Sequence, residues 1–117
     1  MNAAHWIVLS LLGGAGAVAR IDGGAAVARR VGSVAIGTLT VNLIGAFALG
    51  VVTGLDLPDG TRKVLAIGFI GAFTTFSTWM VEAERHRSPR QRAALLVGAL
   101  ILGLLAVTVG RAVGNAL

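Results

Sequence analysis

The sequence predicts an all-α membrane protein: four transmembrane helices with a break in the third, forming a single domain over residues 1–117. Composition is the first sign, since 56% of the 117 residues are hydrophobic and only 13% are charged, far from an ordinary soluble domain. The second is where the charges fall. They cluster and leave charge-free runs from Ala3 to Ala19, Val31 to Leu55, Val64 to Val81 and Ala93 to Gly110, each of 17 to 25 residues. At about 1.5 Å per residue, a helix of that length crosses a hydrocarbon core of roughly 30 Å. The third sign is a hydroxyl-rich stretch inside the third run, where lipid offers polar groups no partner.

The first span is placed at about residues 3–19. A cleaved signal peptide would begin with basic residues, yet "MNAAHWIVLSLLGGAGAVAR" holds no Lys or Arg before Arg20. Its "GGAG" at 13–16 suits close approach to another helix. Arg20 closes the span, either as a charge snorkelling to the interface or as a functional cation.

The second span is placed at about 33–55. Asn42 lies near its middle, and Thr38 is four residues earlier on the same helical face. An amide at that depth serves either a bond across a helix interface or a ligand. Gly50 and Gly54 follow at GxxxG spacing.

The third span, about 64–81, contains "GAFTTFSTW" from Gly71 to Trp79. Gly68 and Gly71 precede Thr74, Thr75, Ser77 and Thr78, and the rings of Phe73, Phe76 and Trp79 recur every three residues. Hydroxyls bonding to their own backbone bend a helix, and glycine lowers the strain of a break. Carbonyls freed by a break are tolerated at membrane depth where they line a cavity, pack in protein or coordinate an ion. Phe76 and Trp79, one turn apart, can present ring edges, which carry partial positive charge, to a common space. An anion-tolerant wall, amide and hydroxyl donors and a carbonyl cluster suited to a hard cation together point to an ion pathway.

The fourth span, about 93–110, offers one hydroxyl, Thr108, and is followed by Gly114 at GxxxG spacing from Gly110. An even number of spans puts both termini and the 56–63 loop on one side, with Arg62, Lys63 and Arg111. The 20–30 and 82–92 loops lie opposite, with Arg29, Arg30, Arg85, Arg87, Arg90 and Arg92, and Arg20 at the edge. The excess of basic residues places those loops in the cytoplasm and the termini outside.

Several function classes fall away. "ERHRSPRQR" is too short and too close to two spans to read nucleic acid, and anionic lipid headgroups account for it. With no cysteine there is no disulfide framework or thiolate site. His5 and His86 sit apart from any serine or carboxylate constellation, so the chain is not read as an enzyme. A small four-helix multidrug or cation antiporter would need an acid within a span, and Asp22, Asp56, Asp59, Glu82 and Glu84 all lie outside. That antiporter, or an accessory membrane subunit, is the alternative reading. Most of the 17 glycines read as helix packing, and four short helices shield a polar path poorly, so a dimer is expected.

The segments "GGAGAVAR" (13–20), "GTLTVNLIGAFALG" (37–50) and "GFIGAFTTFSTWMVE" (68–82) resemble the signature segments of the Fluc or CrcB family of fluoride channels, over nearly the whole chain. The resemblance implies a multi-pass protein of the cytoplasmic (inner) membrane, paired antiparallel in dual topology, with two fluoride pores at the dimer interface. It would export fluoride passively and relieve fluoride toxicity. Asn42 matches the pore asparagine, Phe76 the first of two pore phenylalanines, and Trp79 falls at the second. Thr75 and Ser77 lie in the same motif. Gly71 and Thr74 match the break whose main-chain carbonyls hold a structural sodium ion at the dimer centre. Arg20 matches an arginine beside an aqueous vestibule. The sequence departs from the family at Trp79 in place of phenylalanine, at Ile21 where tyrosine is frequent, at Ala72 where glycine is frequent, and in the fourth span, which lacks hydroxyls other than Thr108. These departures and the bias in loop charge leave a homodimer as the expectation and a heterodimer with an oppositely oriented paralogue as the alternative.

Overall fold

The computed structural model describes residues 2–71 and 88–117. Helix α1, Ala3–Val31, starts at Asn2, whose Oδ1 accepts the His5 backbone N–H at 2.9 Å while His5 Nδ1 accepts the Asn2 N–H at 3.3 Å. This reciprocal cap satisfies two otherwise orphaned donors. The helix stops at Gly32, whose φ of 72° is left-handed and costs glycine little, and whose N–H bonds back to the Ala28 carbonyl at 2.8 Å.

The 20–30 segment, expected as a loop, is therefore the continuation of α1. Charge marks where the apolar layer ends, and "RIDGGAAVARR" contains nothing that stops a helix before Gly32. With 29 residues, α1 is about 43 Å long, longer than a hydrocarbon core. Arg29 and Arg30 in its last turn favour the negative end of the helix dipole.

Ser33 caps helix α2, Val34–Gly54, by accepting the Ile36 N–H at 3.3 Å. Helix α2 yields to extended backbone at Leu55, and Pro58 then opens the short α3, Asp59–Lys63. The link between them is tied by Arg62, whose Nη2 donates to the Leu57 carbonyl at 3.2 Å and the Leu55 carbonyl at 3.4 Å, while Nη1 pairs with Asp59 at 3.3 Å. Replacing Arg62 by alanine is expected to cost about 1 kcal/mol, discounted for partial exposure. Faster amide exchange across the 55–58 link would accompany a lower melting temperature. A variant indistinguishable from the parent in both would show the clamp to be idle.

From Val64 to Ile70 the backbone is a π-helix, a wider turn that is rare at this length. It stacks on α1. A methyl built on Gly68 would lie 2.9 Å from the Leu9 carbonyl oxygen, and one on Gly60 would lie 2.6 Å from His5 Nε2, so α1 and this segment run parallel at backbone distance.

Helix α4, Pro89–Ala116, opens with a second reciprocal cap. Ser88 Oγ accepts the Gln91 N–H at 3.3 Å and Gln91 Oε1 accepts the Ser88 N–H at 3.1 Å, with proline in the first turn where no donor is needed.

Glycine holds the long helices together. α1 and α2 pack antiparallel, and a methyl on Gly37 would sit 3.2 Å from Ala28 Cβ and 2.5 Å from the Gly24 carbonyl oxygen. α2 and α4 pack in parallel as a zipper. Gly50 meets the backbone of Val107 and Arg111, Gly54 that of Arg111 and Asn115, Gly110 that of Phe47 and Val51, and Gly114 that of Val51 and Gly54. The two GxxxG pairs in the sequence are thus opposite halves of one interface. At such separations a carbonyl can accept from a glycine Cα–H, a weak bond repeated along the seam.

Among the described residues the buried side chains larger than hydrogen are Val41, Val64 and Ile70, and the other buried positions are glycines. Large apolar side chains such as Leu11 and Leu104, each 69% exposed, face outward. This inverts a soluble protein and suits a lipid surround. Among the described residues three helices are long and apolar enough to cross a membrane, over Ala3–Val31, Ile36–Gly54 and Pro89–Ala116. The third expected span begins with the π-helix and passes out of the described residues at 72.

Candidate functional site

On α2, the residues Leu39, Asn42, Leu43, Ala46 and Leu49 recur at helical spacing and line one wall of a cleft of about 390 Å³. Ala99, Gly103 and Val107, every fourth residue of α4, form the facing wall with Leu100 and Leu104. Ala66, Ile70 and Gly71, from the π-helix and the residue after it, close one end. The glycine zipper from Gly50 to Gly114 lies beyond Val107 and holds the two walls at a fixed separation.

Among the described residues of this lining, Asn42 supplies the single polar side chain. It is half-buried and, like Thr38, is engaged by interactions within the chain, so it stands as a held amide. Its NH₂ group can donate to an anion where no charged side chain competes. Four other hydroxyls of the described helices are spent locally. Ser10 donates to the Trp6 carbonyl at 2.9 Å, and Thr40, Thr53 and Thr108 donate to the carbonyls of Ile36, Gly50 and Leu104 at 2.8 Å each. The fourth-helix wall is accordingly apolar, because Thr108 is exposed and turned back onto its own helix.

Gly71 is exposed at the cleft end, and among the described residues a methyl built there would come nearest the Ala66 carbonyl oxygen, at 3.4 Å. The structure therefore brings together two residues singled out in the sequence, Asn42 and Gly71. Arg20 is half-buried on α1, which contributes no wall to this cleft. Thr74, Thr75, Phe76, Ser77 and Trp79 lie outside the described residues.

Two features escaped sequence reasoning. The π-helix begins at Val64, directly after Lys63 and ahead of the glycines expected to start the break. The spacing of Ala99, Gly103 and Val107 was legible as a small-residue face and went unremarked. Among the described residues no group of three or more His, Cys, Asp or Glu is placed to hold a metal.

The family model described as "CrcB-like protein, Camphor Resistance (CrcB)" matches residues 7–111. The "Fluoride-specific ion channel FluC 2" of Mycobacterium bovis is 43% identical over 115 residues, covering 95% of this chain and 91% of that protein. The "Fluoride-specific ion channel FluC 1" of Symbiobacterium thermophilum is 42% identical over 122 residues, covering 93% and 96%. The "Fluoride-specific ion channel FluC 2" of Natronomonas pharaonis is 44% identical over 108 residues, covering 90% of each. No solved structure matches.

Proposed function

Because this chain belongs to the CrcB-like family, we infer that it is a fluoride-specific ion channel of the cell membrane, a transporter and not an enzyme. The observation that carries this reading is Asn42, one amide held in an otherwise apolar cleft.

Fluoride is small and strongly hydrated, so hydrocarbon alone bars it. The Asn42 NH₂ replaces part of the lost water shell, and a neutral donor holds an anion loosely enough to release it. Phe76 and Trp79 line the path with ring edges, and Thr75 and Ser77 supply further hydroxyls. Arg20, away from the cleft, raises the local concentration of anions at a vestibule. Flow is passive. Fluoride that enters the cell as the neutral acid leaves as the anion, driven outward by the membrane potential, and toxicity is relieved.

The active unit in this reading is an antiparallel pair of chains in dual topology, with two pores at their interface. An apolar fourth-helix wall and an exposed Gly71 on a single chain support it, since a second subunit would supply the missing polar surface. The parallel course of α2 and α4 requires a return crossing between Gly54 and Pro89, which supports the four-span topology. A homodimer is the simpler assembly. The apolar α4 wall is the specific observation favouring a heterodimer with an oppositely oriented paralogue.

A structural sodium ion at the dimer centre would be held by main-chain carbonyls of Gly71 and Thr74. Gly71 is exposed at the cleft and carries no side chain of its own to screen a main-chain donor, which fits such a donor set. Bound there, the ion would brace the two subunits and add positive potential near both pores. Exchanging sodium for a bulky organic cation is expected to lower fluoride flux, with recovery when sodium returns. Flux unaffected after exhaustive exchange would remove the ion from the account.

An antiporter would need an acid in the membrane. Asp22, Asp56 and Asp59 are exposed and contribute nothing to the cleft. The reading is tested by expressing the chain alone in bacteria lacking any fluoride exporter. Growth in fluoride is expected to be rescued. Rescue only alongside a paralogue would establish the heterodimer, and no rescue in either case would defeat the assignment.

A further inference from the structure

A second cavity, of about 370 Å³, lies at the terminal end of the bundle between the first turns of α1 and the α3–π-helix segment. Its lining is ordered from polar to apolar. Asn2, His5 and Thr61 supply its polar side chains, and Ala4, Val8, Leu12, Val64 and Leu65 form the rest. Its depth is graded too, because Val64 is 6% exposed at the back whereas Val8 is 45% exposed at the mouth. Exposed Val8 continues along α1 into exposed Ile7 and Leu11, so the apolar part of the cavity meets the surface that faces lipid.

We propose that this cavity binds one membrane glycerophospholipid, with its phosphate at His5 and Thr61 and one acyl tail between Val8, Leu12, Val64 and Leu65. The volume lies within the range of ligand pockets, roughly 300–1,000 Å³. The polar end is set up for an anion. His5 Nδ1 accepts the Asn2 N–H, which leaves Nε2, beside Gly60, as the ring nitrogen that can donate. Arg62 is committed to Leu55, Leu57 and Asp59, which leaves the exposed Lys63 as the cation nearest in sequence to Thr61. Exposed Trp6 lies one residue from His5, consistent with a headgroup level at this end. The site is independent of fluoride transport and joins α1 to the segment that leads into the π-helix.

The test uses the full chain reconstituted with a phosphatidylglycerol that carries a photoreactive diazirine midway along one tail. Lipid surrounding the protein labels exposed Ile7 and Leu11 whether or not the cavity is filled. Labelling of buried Val64 and of Leu65 reports the cavity itself. Val8→Phe, which plugs the mouth, is expected to reduce labelling at Val64 and Leu65 about tenfold while leaving Ile7 and Leu11 labelled. Leu65→Phe serves where Val8→Phe does not fold. The same tail on an uncharged diacylglycerol is expected to label the cavity less. Labelling confined to Ile7 and Leu11, labelling at Val64 and Leu65 that persists in both variants, or equal labelling by the uncharged lipid would each overturn the proposal.

Discussion

Replacing Asn42 by alanine is expected to lower fluoride efflux about ten- to a hundredfold while leaving the protein folded. Among the residues lining the cleft between α2 and α4, Asn42 alone can donate a hydrogen bond through its side chain. A hydrogen bond to a charged partner contributes about 1.5–3 kcal/mol, which corresponds to that range of rate if it is lost at the barrier. Alanine also suits a helix better than asparagine, so α2 has no local reason to unfold. Asn42→Asp separates shape from charge, because a carboxylate of nearly the same size would repel fluoride and is expected to abolish flux. Efflux within twofold of the parent in Asn42→Ala would take this amide out of the pathway.

Gly110→Val is expected to destroy the folded protein or leave it with a melting temperature far below the parent's. The Gly110 Cα is pressed against the backbone of Phe47, and a side chain there also runs toward Val51 N at 3.1 Å. Those neighbours are main-chain atoms and cannot rotate aside. Overpacking by a single group costs about 1–3 kcal/mol where side chains can shift. Here the two helices would have to separate, and Gly50, Gly54 and Gly114 would lose their contacts with it. Gly98→Val is the control, since nothing lies within 4 Å of the position a methyl would take there. Size-exclusion profiles and thermal melts in detergent distinguish the two. A Gly110→Val protein as stable as Gly98→Val would mean that the α2–α4 seam is not what holds the bundle.

The same seam shows how far the sequence could be read. GxxxG spacing at Gly50 and Gly54 and at Gly110 and Gly114 announced close packing, because a repeat of four keeps small residues on one face. It could not say that the two pairs meet each other, since either would serve equally well against another copy of the chain. Hydropathy placed α2 well, and Ser33 and Leu55 bound it close to the limits expected at 33 and 55. Hydropathy placed the end of α1 poorly. Arg20 marks the edge of the apolar run, whereas backbone chemistry at Gly32 ends the helix.

For the site, Asn42 was legible because an amide inside a charge-free run is costly and calls for a reason. Gly71 was legible from its place before the hydroxyl cluster, and the structure sets it at the end of the same cleft. The π-helix was not legible. It packs through Gly68 against Leu9 of α1, a contact between residues far apart in the sequence that a local pattern does not report.

Selective fluoride conduction by this chain is tested by efflux from liposomes containing the purified chain alone. Fluoride and chloride would be followed with ion-selective electrodes under the same potassium gradient. Rapid fluoride release with chloride retained is expected. Equal release of both ions, or retention of fluoride by a folded protein both alone and beside a paralogue, would contradict it.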